Sequence, residues 1–155
     1  MKRNLTKVIL FFGIIFFCVI LDHVSKAVLT NKSFDILGSL LRVDYTKNTG
    51  AAFSMLSGAR VFFIIITLIF VGVLITMFLL TKQKHISFVW GASLVSGGAI
   101  GNLIDRIAFG FVKDFISISF FPAVFNLADL FITIGTIILI VYILFYFKKE
   151  EKSGN

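Results

Sequence analysis

The chain has a single cysteine, a single proline, two histidines, and no glutamate outside its C-terminal tail. One cysteine excludes an internal disulfide. Cys18 lies in the middle of an apolar run with no histidine near it in sequence, so it reads as a packing residue. A zinc site needs several His or Cys ligands, and two histidines and one cysteine spread along the chain do not supply them. A serine nucleophile is disfavoured for Ser93 and Ser96, because His85 lies near the far end of their helix and His23 is on another helix beside Asp22. His85 itself sits at a helix boundary and reads as a solvated interface residue. A hard cation held by carboxylates stays open on composition, but no loop shows the ligand spacing it would use.

Charge is scarce as well. Charged residues make up 15% of the 155-residue chain, against 58% hydrophobic residues, 20 Phe and a mean hydropathy of +1.01. That apolar content exceeds what a soluble domain carries, so the chain is expected to be an integral membrane protein forming one domain over residues 1–155. The net charge of +7 does not imply nucleic acid, because the Lys and Arg lie between apolar runs and are not gathered on one soluble face. No nucleic-acid partner is expected. Membrane lipids are the expected surroundings, with the basic residues setting orientation.

Four spans are predicted, at about residues 6–29, 60–81, 87–105 and 123–147, with outer loops at about 31–59 and 107–122. The first begins like a secretory signal, but it lacks a small-residue cleavage pattern and is expected to stay as a helix. Val61 to Leu80 contains no charge and matches the thickness of the hydrocarbon core. The third span is rich in Gly, Ala and Ser, which let neighbouring backbones approach inside a membrane. In the first loop, Leu41 to Thr46 alternates apolar and polar as a half-buried strand does, Asn48-Thr49-Gly50 marks a turn, and Ala51-Ala52-Phe53 follows. The fold class is therefore an all-α membrane protein with four transmembrane helices, a small extracytoplasmic β-sheet and short outer loops.

Four spans put both termini on one side. The basic residues on that side crowd the short segments beside the spans, which places the termini in the cytoplasm. All six Asp then fall in the outward half, and any chemistry belongs at the outer face.

The polar residues there are concentrated. Asn102, Asp105 and Arg106 share a face at the outer end of the third helix, and Asn126 and Asp129 are spaced i,i+3 on the fourth. With Pro122 near the start of the fourth helix, Asp129 is expected about 9–10 Å inside its outer end. An ionised Asp facing lipid there would be costly, so it must face the bundle interior or keep a proton. Asp114, in the loop before that helix, can fold back toward Asp129. Two carboxyls sharing one proton supply an acid and a base together, which suits attack of water on a peptide carbonyl. Asp22 and Lys26, at i,i+4 on the first helix, either neutralise a polar helix end or present Asp22 to a polar cavity. Three other readings stay open on the residues alone. They are a proton- or ion-coupled carrier, a membrane scaffold, and buried Asp residues that serve only as helix-packing hydrogen bonds.

Five stretches in order, Asp22-His23-Val24-Ser25-Lys26, Asn48-Thr49-Gly50-Ala51-Ala52-Phe53, Gly97 to Arg106, Val112-Lys113-Asp114-Phe115 and Phe125-Asn126-Leu127-Ala128-Asp129, resemble the lipoprotein signal peptidases (signal peptidase II). These are bacterial intramembrane aspartyl peptidases, and the resemblance covers nearly the whole chain. It implies removal of the signal peptide from a prolipoprotein whose Cys carries diacylglycerol, with the cut on the amino side of that Cys. It implies a bacterial cytoplasmic-membrane location, a site near the outer leaflet, and neither metal nor organic cofactor. A monomer is expected. The family's catalytic aspartates fall on Asp114 and Asp129, and its other functional polar positions match Asp22, Lys26, Asn48, Gly101, Asn102, Asp105, Arg106 and Asn126. Asn102, Asn126, Asp105 and Arg106 would orient the dyad and the substrate, Arg106 also being able to pair with Asp105 or a headgroup. Asp22 and Lys26 would brace the first helix against the cluster. Where the family usually has an aliphatic residue just before its first catalytic Asp, this chain has Lys113. Adjacent strand positions point to opposite faces, so that departure should leave Asp114 unaffected.

Overall fold

A computed structural model describes residues 2–50, 59–81 and 85–147. The segment Ala51-Ala52-Phe53, Lys82, Lys84 and the charged C-terminal tail lie outside the described residues. The elements run in the order α1 (Lys2–Leu29), β1 (Ser33–Leu37), β2 (Leu41–Asn48), α2 (Arg60–Leu80), α3 (Ile86–Phe109), β3 (Val112–Ile118), β4 (Phe121–Phe125) and α4 (Leu127–Tyr142), with a π-helical turn at Ile143–Phe147. Each helix is long and apolar enough to cross a membrane once the turn is counted with α4. They alternate in direction, so the sheet gathers at one end of the bundle and the start of α1 and the end of the π-helical turn lie at the other.

Sequence composition decides which helix is central. α3 carries the small residues and is largely buried, whereas α1, α2 and α4 leave most of their apolar side chains on the outside. In a bilayer such exposed Phe, Ile and Leu meet lipid at no cost, so close packing must come from backbone approach at small residues. Gly91 faces the carbonyl of Gly135 on α4, and a methyl group on Gly98 would strike the backbone of Ala128. At the end away from the sheet, Phe11 stacks on Phe78 with centroids 3.8 Å apart. His85 caps α3 by accepting the Ser87 N–H at 3.2 Å, and its ring stacks on Tyr142.

Gly101 clears a path for a charge. A Cβ there would lie 2.6 Å from the Asp22 Oδ2, which is itself fixed by Lys26. Gly101→Ala is therefore expected to destabilise the fold by about 1–3 kcal/mol through overpacking. Gly13→Ala, whose added carbon meets nothing within 4 Å, should be neutral. Thermal unfolding of the two variants in one detergent checks the contrast.

The sheet is antiparallel throughout, in the order β1-β2-β3-β4. Two features differ from the sequence expectation. The strand foreseen from Leu41 continues to Asn48 and pairs with β3, so the region expected as a plain loop over 107–122 supplies half the sheet and α3 runs on to Phe109. The fourth helix begins at Leu127 and not near residue 123, because Pro122 belongs to β4. β4 is an edge strand, where a residue without an N–H is tolerated.

Candidate active site

These boundaries reposition both aspartates. Asp114 is the third residue of β3, an inner strand, and is not in a loop. Its side chain is buried beneath the sheet, while Lys113 points to the other face with its ammonium 3.8 Å from the centre of the Phe109 ring. Asp129 occupies the third position of α4, one turn or less from the helix end, so the expected depth of about 9–10 Å is too large.

Asn126 and Asp129 form a reciprocal cap. The Asn126 Oδ1 accepts the Asp129 N–H at 3.0 Å, and the Asp129 Oδ2 accepts the Asn126 N–H at 3.1 Å. The Asn126 Nδ2 donates to Asp114 Oδ1 at 2.6 Å and to Asn102 Oδ1 at 3.1 Å. The Asn102 Nδ2 donates to Asp129 Oδ1 at 2.8 Å, and the Asn48 Nδ2 donates to Asp114 Oδ2 at 2.9 Å. No hydrogen bond among the described residues joins the two carboxyls directly; Asn126 bridges them, its side-chain amide donating to Asp114 and its backbone N–H to Asp129. Neither Asn126 nor Asn102 can turn its amide over without setting donor against donor, so the network has one polarity.

Behind this layer, the Lys26 Nζ donates to Asn102 Oδ1 at 3.0 Å and Asp22 Oδ2 at 2.7 Å and lies 3.1 Å from Asp105 Oδ2. The Asp22 Oδ1 accepts the Ala128 N–H at 3.1 Å, tying α1 to the first turn of α4. Asp105 accepts the Lys113 N–H at 3.0 Å, which fixes the strand that carries Asp114. Asp105 therefore reaches the pair only through Lys26 and the β3 backbone.

Arg106 does not pair with Asp105. Adjacent helix residues point about 100° apart, and the Arg106 guanidinium lies over the Phe63 ring at 5.0 Å and donates to the Gly50 carbonyl at 3.3 Å. Gly50 also donates its N–H to Asn48 Oδ1 at 3.0 Å, so the turn at 48–50 links both sides of the site.

Arg60 plays a part its sequence position does not announce. It donates through Nε to the Arg106 carbonyl at 2.8 Å, which also accepts the Gly110 N–H, and through Nη2 to the Ile107 carbonyl at 2.7 Å, so the C-terminal end of α3 is held from the start of α2. The only available signal was a cation at the start of a span, which does not specify another helix's end.

A groove of about 520 Å³ runs between the sheet and α4, and both Asp114 and Asp129 line it beside Asn48, Asn102 and Arg106, with Phe121 and Phe125 on its apolar wall. A second, of about 490 Å³, opens between α2, α3 and α4 and reaches Asp129, Asn102 and Arg106 from the other side. Among the described residues no three His, Cys, Asp or Glu side chains gather closely enough to hold a metal ion.

Burial, joined by the Asp129 charge, pushes Asp114 up to about 6 against the lowering effect of its Asn48 and Asn126 donors. A carboxyl raised on folding holds its proton more tightly in the native state. Its contribution to stability is complete below the ordinary carboxylate range and is lost as pH rises through about 6. The loss is roughly 3 kcal/mol, from about two pKa units at 1.36 kcal/mol each. Unfolding midpoints should fall between pH 4 and pH 7, and this component of the fall should vanish in Asp114→Asn.

Comparison with known proteins places the chain in a family. The family described as signal peptidase (SPase) II matches residues 14–145. The lipoprotein signal peptidase of Caldanaerobacter subterraneus subsp. tengcongensis is 40% identical over 131 residues, covering 81% of this chain and 90% of that protein. The lipoprotein signal peptidase of Clostridioides difficile is 36% identical over 148 residues, covering 92% and 99%. A bacterial membrane enzyme solved by the in meso method superposes with a TM-score of 0.80 at 36% identity, over 86% of this chain and 87% of that one. With matches that extend over nearly the whole length in both sequence and structure, the chain belongs to the signal peptidase II family.

Proposed function

We propose that this membrane peptidase removes signal peptides from diacylglyceryl-modified prolipoproteins, cutting on the amino side of the lipidated Cys with Asp114 and Asp129 as its catalytic pair. The observation that carries the reading is the pair itself, two carboxyls from different elements held at one groove and bridged by the side-chain and backbone N–H groups of Asn126. The family match leaves the ion-coupled carrier without support.

In the proposed mechanism, water lies between the carboxyls with one proton shared by the pair. As its oxygen bonds to the scissile carbonyl carbon, the ionised carboxylate takes a water proton and the protonated partner gives its own to the carbonyl oxygen. As the tetrahedral intermediate collapses, one of its hydroxyls returns a proton to the ionised carboxylate and re-forms the carbonyl, while the C–N bond breaks. The departing nitrogen takes the proton held by the other carboxyl and becomes the free amino group of the lipidated Cys, which leaves the pair with one proton again. Asn102 and Asn126 keep the carboxyl oxygens aimed, and Arg106 and Gly50 form the rim against the substrate backbone. The two grooves meeting at Asp129 suit a substrate that brings an apolar signal helix and lipid chains to one point. The basic residues beside the spans support cytoplasmic termini, which sets the sheet and the site at the outer leaflet.

A gel-shift assay on a lipid-modified precursor and on the same precursor unmodified tests the substrate. Processing of the modified form alone is expected, and equal processing of both would overturn the lipid requirement. The pH dependence tests the pair. The shared proton is lost as pH rises through about 6, so kcat/KM should decline with a basic limb near that value. A profile flat from pH 5 to pH 8 would contradict a dyad that works with one proton.

A further inference from the structure

The first turn of α2 takes hold of Arg106 from two sides. Arg60 donates to the Arg106 carbonyl and to the carbonyl that follows it in α3. Phe63, spaced i,i+3 from Arg60 and so on the same face of α2, carries the Arg106 guanidinium over its ring at 5.0 Å from the centroid. A cation is attracted to an aromatic face, the more so where water is scarce. Little else holds this one. Its single hydrogen bond among the described residues goes to the Gly50 carbonyl at 3.3 Å, and no carboxylate among them forms a salt bridge with it.

The missing salt bridge needs a cause, because the catalytic carboxyls are close by. Arg106 and Asp129 both line the two grooves, and Asp114 lines the first beside them. Asn102, one turn from Arg106 on the same face of α3, already donates to the Asp129 Oδ1 at 2.8 Å. The arginine side chain is longer than that of asparagine and carries a full charge, so attraction to the pair would draw it in unless something opposed it. We infer that Phe63 is a positioning residue for the cleavage reaction: its ring keeps the Arg106 guanidinium off the catalytic pair and at the rim, with the remaining N–H groups free for the substrate backbone. The inference rests on the aspartyl reading given above. A carboxylate closed by a guanidinium is a poorer acceptor for a water proton, and a cation brought nearer favours the ionised form, so the pair would lose its shared proton at lower pH. Arg106 keeps its own charge throughout this range. The other charges around the pair have partners of their own. Lys26 is held with Asp22 and Asp105 behind Asn102, Arg60 is held on the α3 carbonyls, and Lys47 and Lys113 lie together on the far face of the sheet.

The test is the pH profile of kcat/KM on the lipid-modified precursor. Phe63→Leu keeps an apolar side chain toward lipid and removes the ring face. Its basic limb should move about one unit below that of the wild type, which reads as a loss of about tenfold at pH 7 that narrows to about twofold at pH 5. Phe63→Tyr retains the ring and should keep the wild-type limb. In an Arg106→Met background, Phe63→Leu should move the limb no further, since no guanidinium is left to close on the pair. Arg60→Gln loosens the same clamp from an exposed position and should shift the limb in the same direction by a smaller step. That variant decides the question if Phe63→Leu does not fold, and an unmoved limb in it then overturns the inference. A loss in Phe63→Leu that is equal at pH 5 and pH 7, or a shift that persists without Arg106, overturns the positioning role alone. A wild type that leaves the lipid-modified precursor uncut, or whose profile is flat, overturns the aspartyl reading and the inference with it.

Discussion

Asp129→Asn should lower turnover of a lipid-modified precursor by at least about a thousandfold while leaving a folded protein, and Asp114→Asn should do the same. General acid–base groups contribute roughly 10²–10⁴-fold each, and in a shared-proton pair either loss removes both functions. An amide at 129 cannot take a proton from water. Its oxygen can still receive one of the two donors now aimed at the carboxylate, the Asn126 N–H or the Asn102 Nδ2. The other donor would face an N–H, at a cost of about 1–3 kcal/mol. At position 114 the same mismatch arises between Asn48 and Asn126, offset by removal of a carboxyl whose ionisation burial opposes. Loss of cleavage with a cooperative unfolding transition is thus the expected result for both. Retained cleavage in either variant would remove that residue from the chemistry.

The helical frame could be read from hydropathy alone, because four apolar runs of membrane length admit few other arrangements. The sheet could be read only in part. Leu41 to Thr46 shows alternation, but its partner Val112–Ile118 carries buried residues at 112, 114 and 115 and blurs the period. The pairing of β2 with β3 also spans the whole of α2 and α3 in sequence, which local pattern cannot reveal. Phe121-Pro122-Ala123-Val124-Phe125 is a short apolar run that joins the fourth helix without a break in hydropathy, and periodicity does not separate strand from helix at that length. A better signal was present. Asn126 followed by Asp129 three residues later has the form of a reciprocal N-terminal cap, and it places the helix start at Leu127. The polar network was visible as a set of residues but not as a wiring, since helix spacing puts Asp105 near Arg106 while the fold gives Asp105 to Lys26.

That wiring makes Lys26 the residue on which the fold and the site depend together. Its ammonium has three protons and three oxygens within 3.1 Å, from Asp22, Asp105 and Asn102, and all four side chains are buried. Lys26→Met should cost about 3–5 kcal/mol, the usual penalty for taking one partner from a buried ionic cluster, because two carboxyls would be left with no cation. For a chain of this size that corresponds to roughly 6–20 °C in the unfolding midpoint. The substitution also removes one of the two donors that hold the Asn102 carbonyl, so its amide is less firmly aimed at Asp129. Stability and activity should therefore separate on repair. Asp22→Asn and Asp105→Asn added to Lys26→Met remove the uncompensated charge and should recover much of the midpoint, since replacing a whole buried cluster is often near neutral. Cleavage should stay depressed, because the methionine at 26 offers no donor in place of the ammonium that holds the Asn102 carbonyl. Full recovery of cleavage along with the midpoint would show that Lys26 serves only the fold, and a wild-type midpoint for Lys26→Met alone would show that it is not essential even to that.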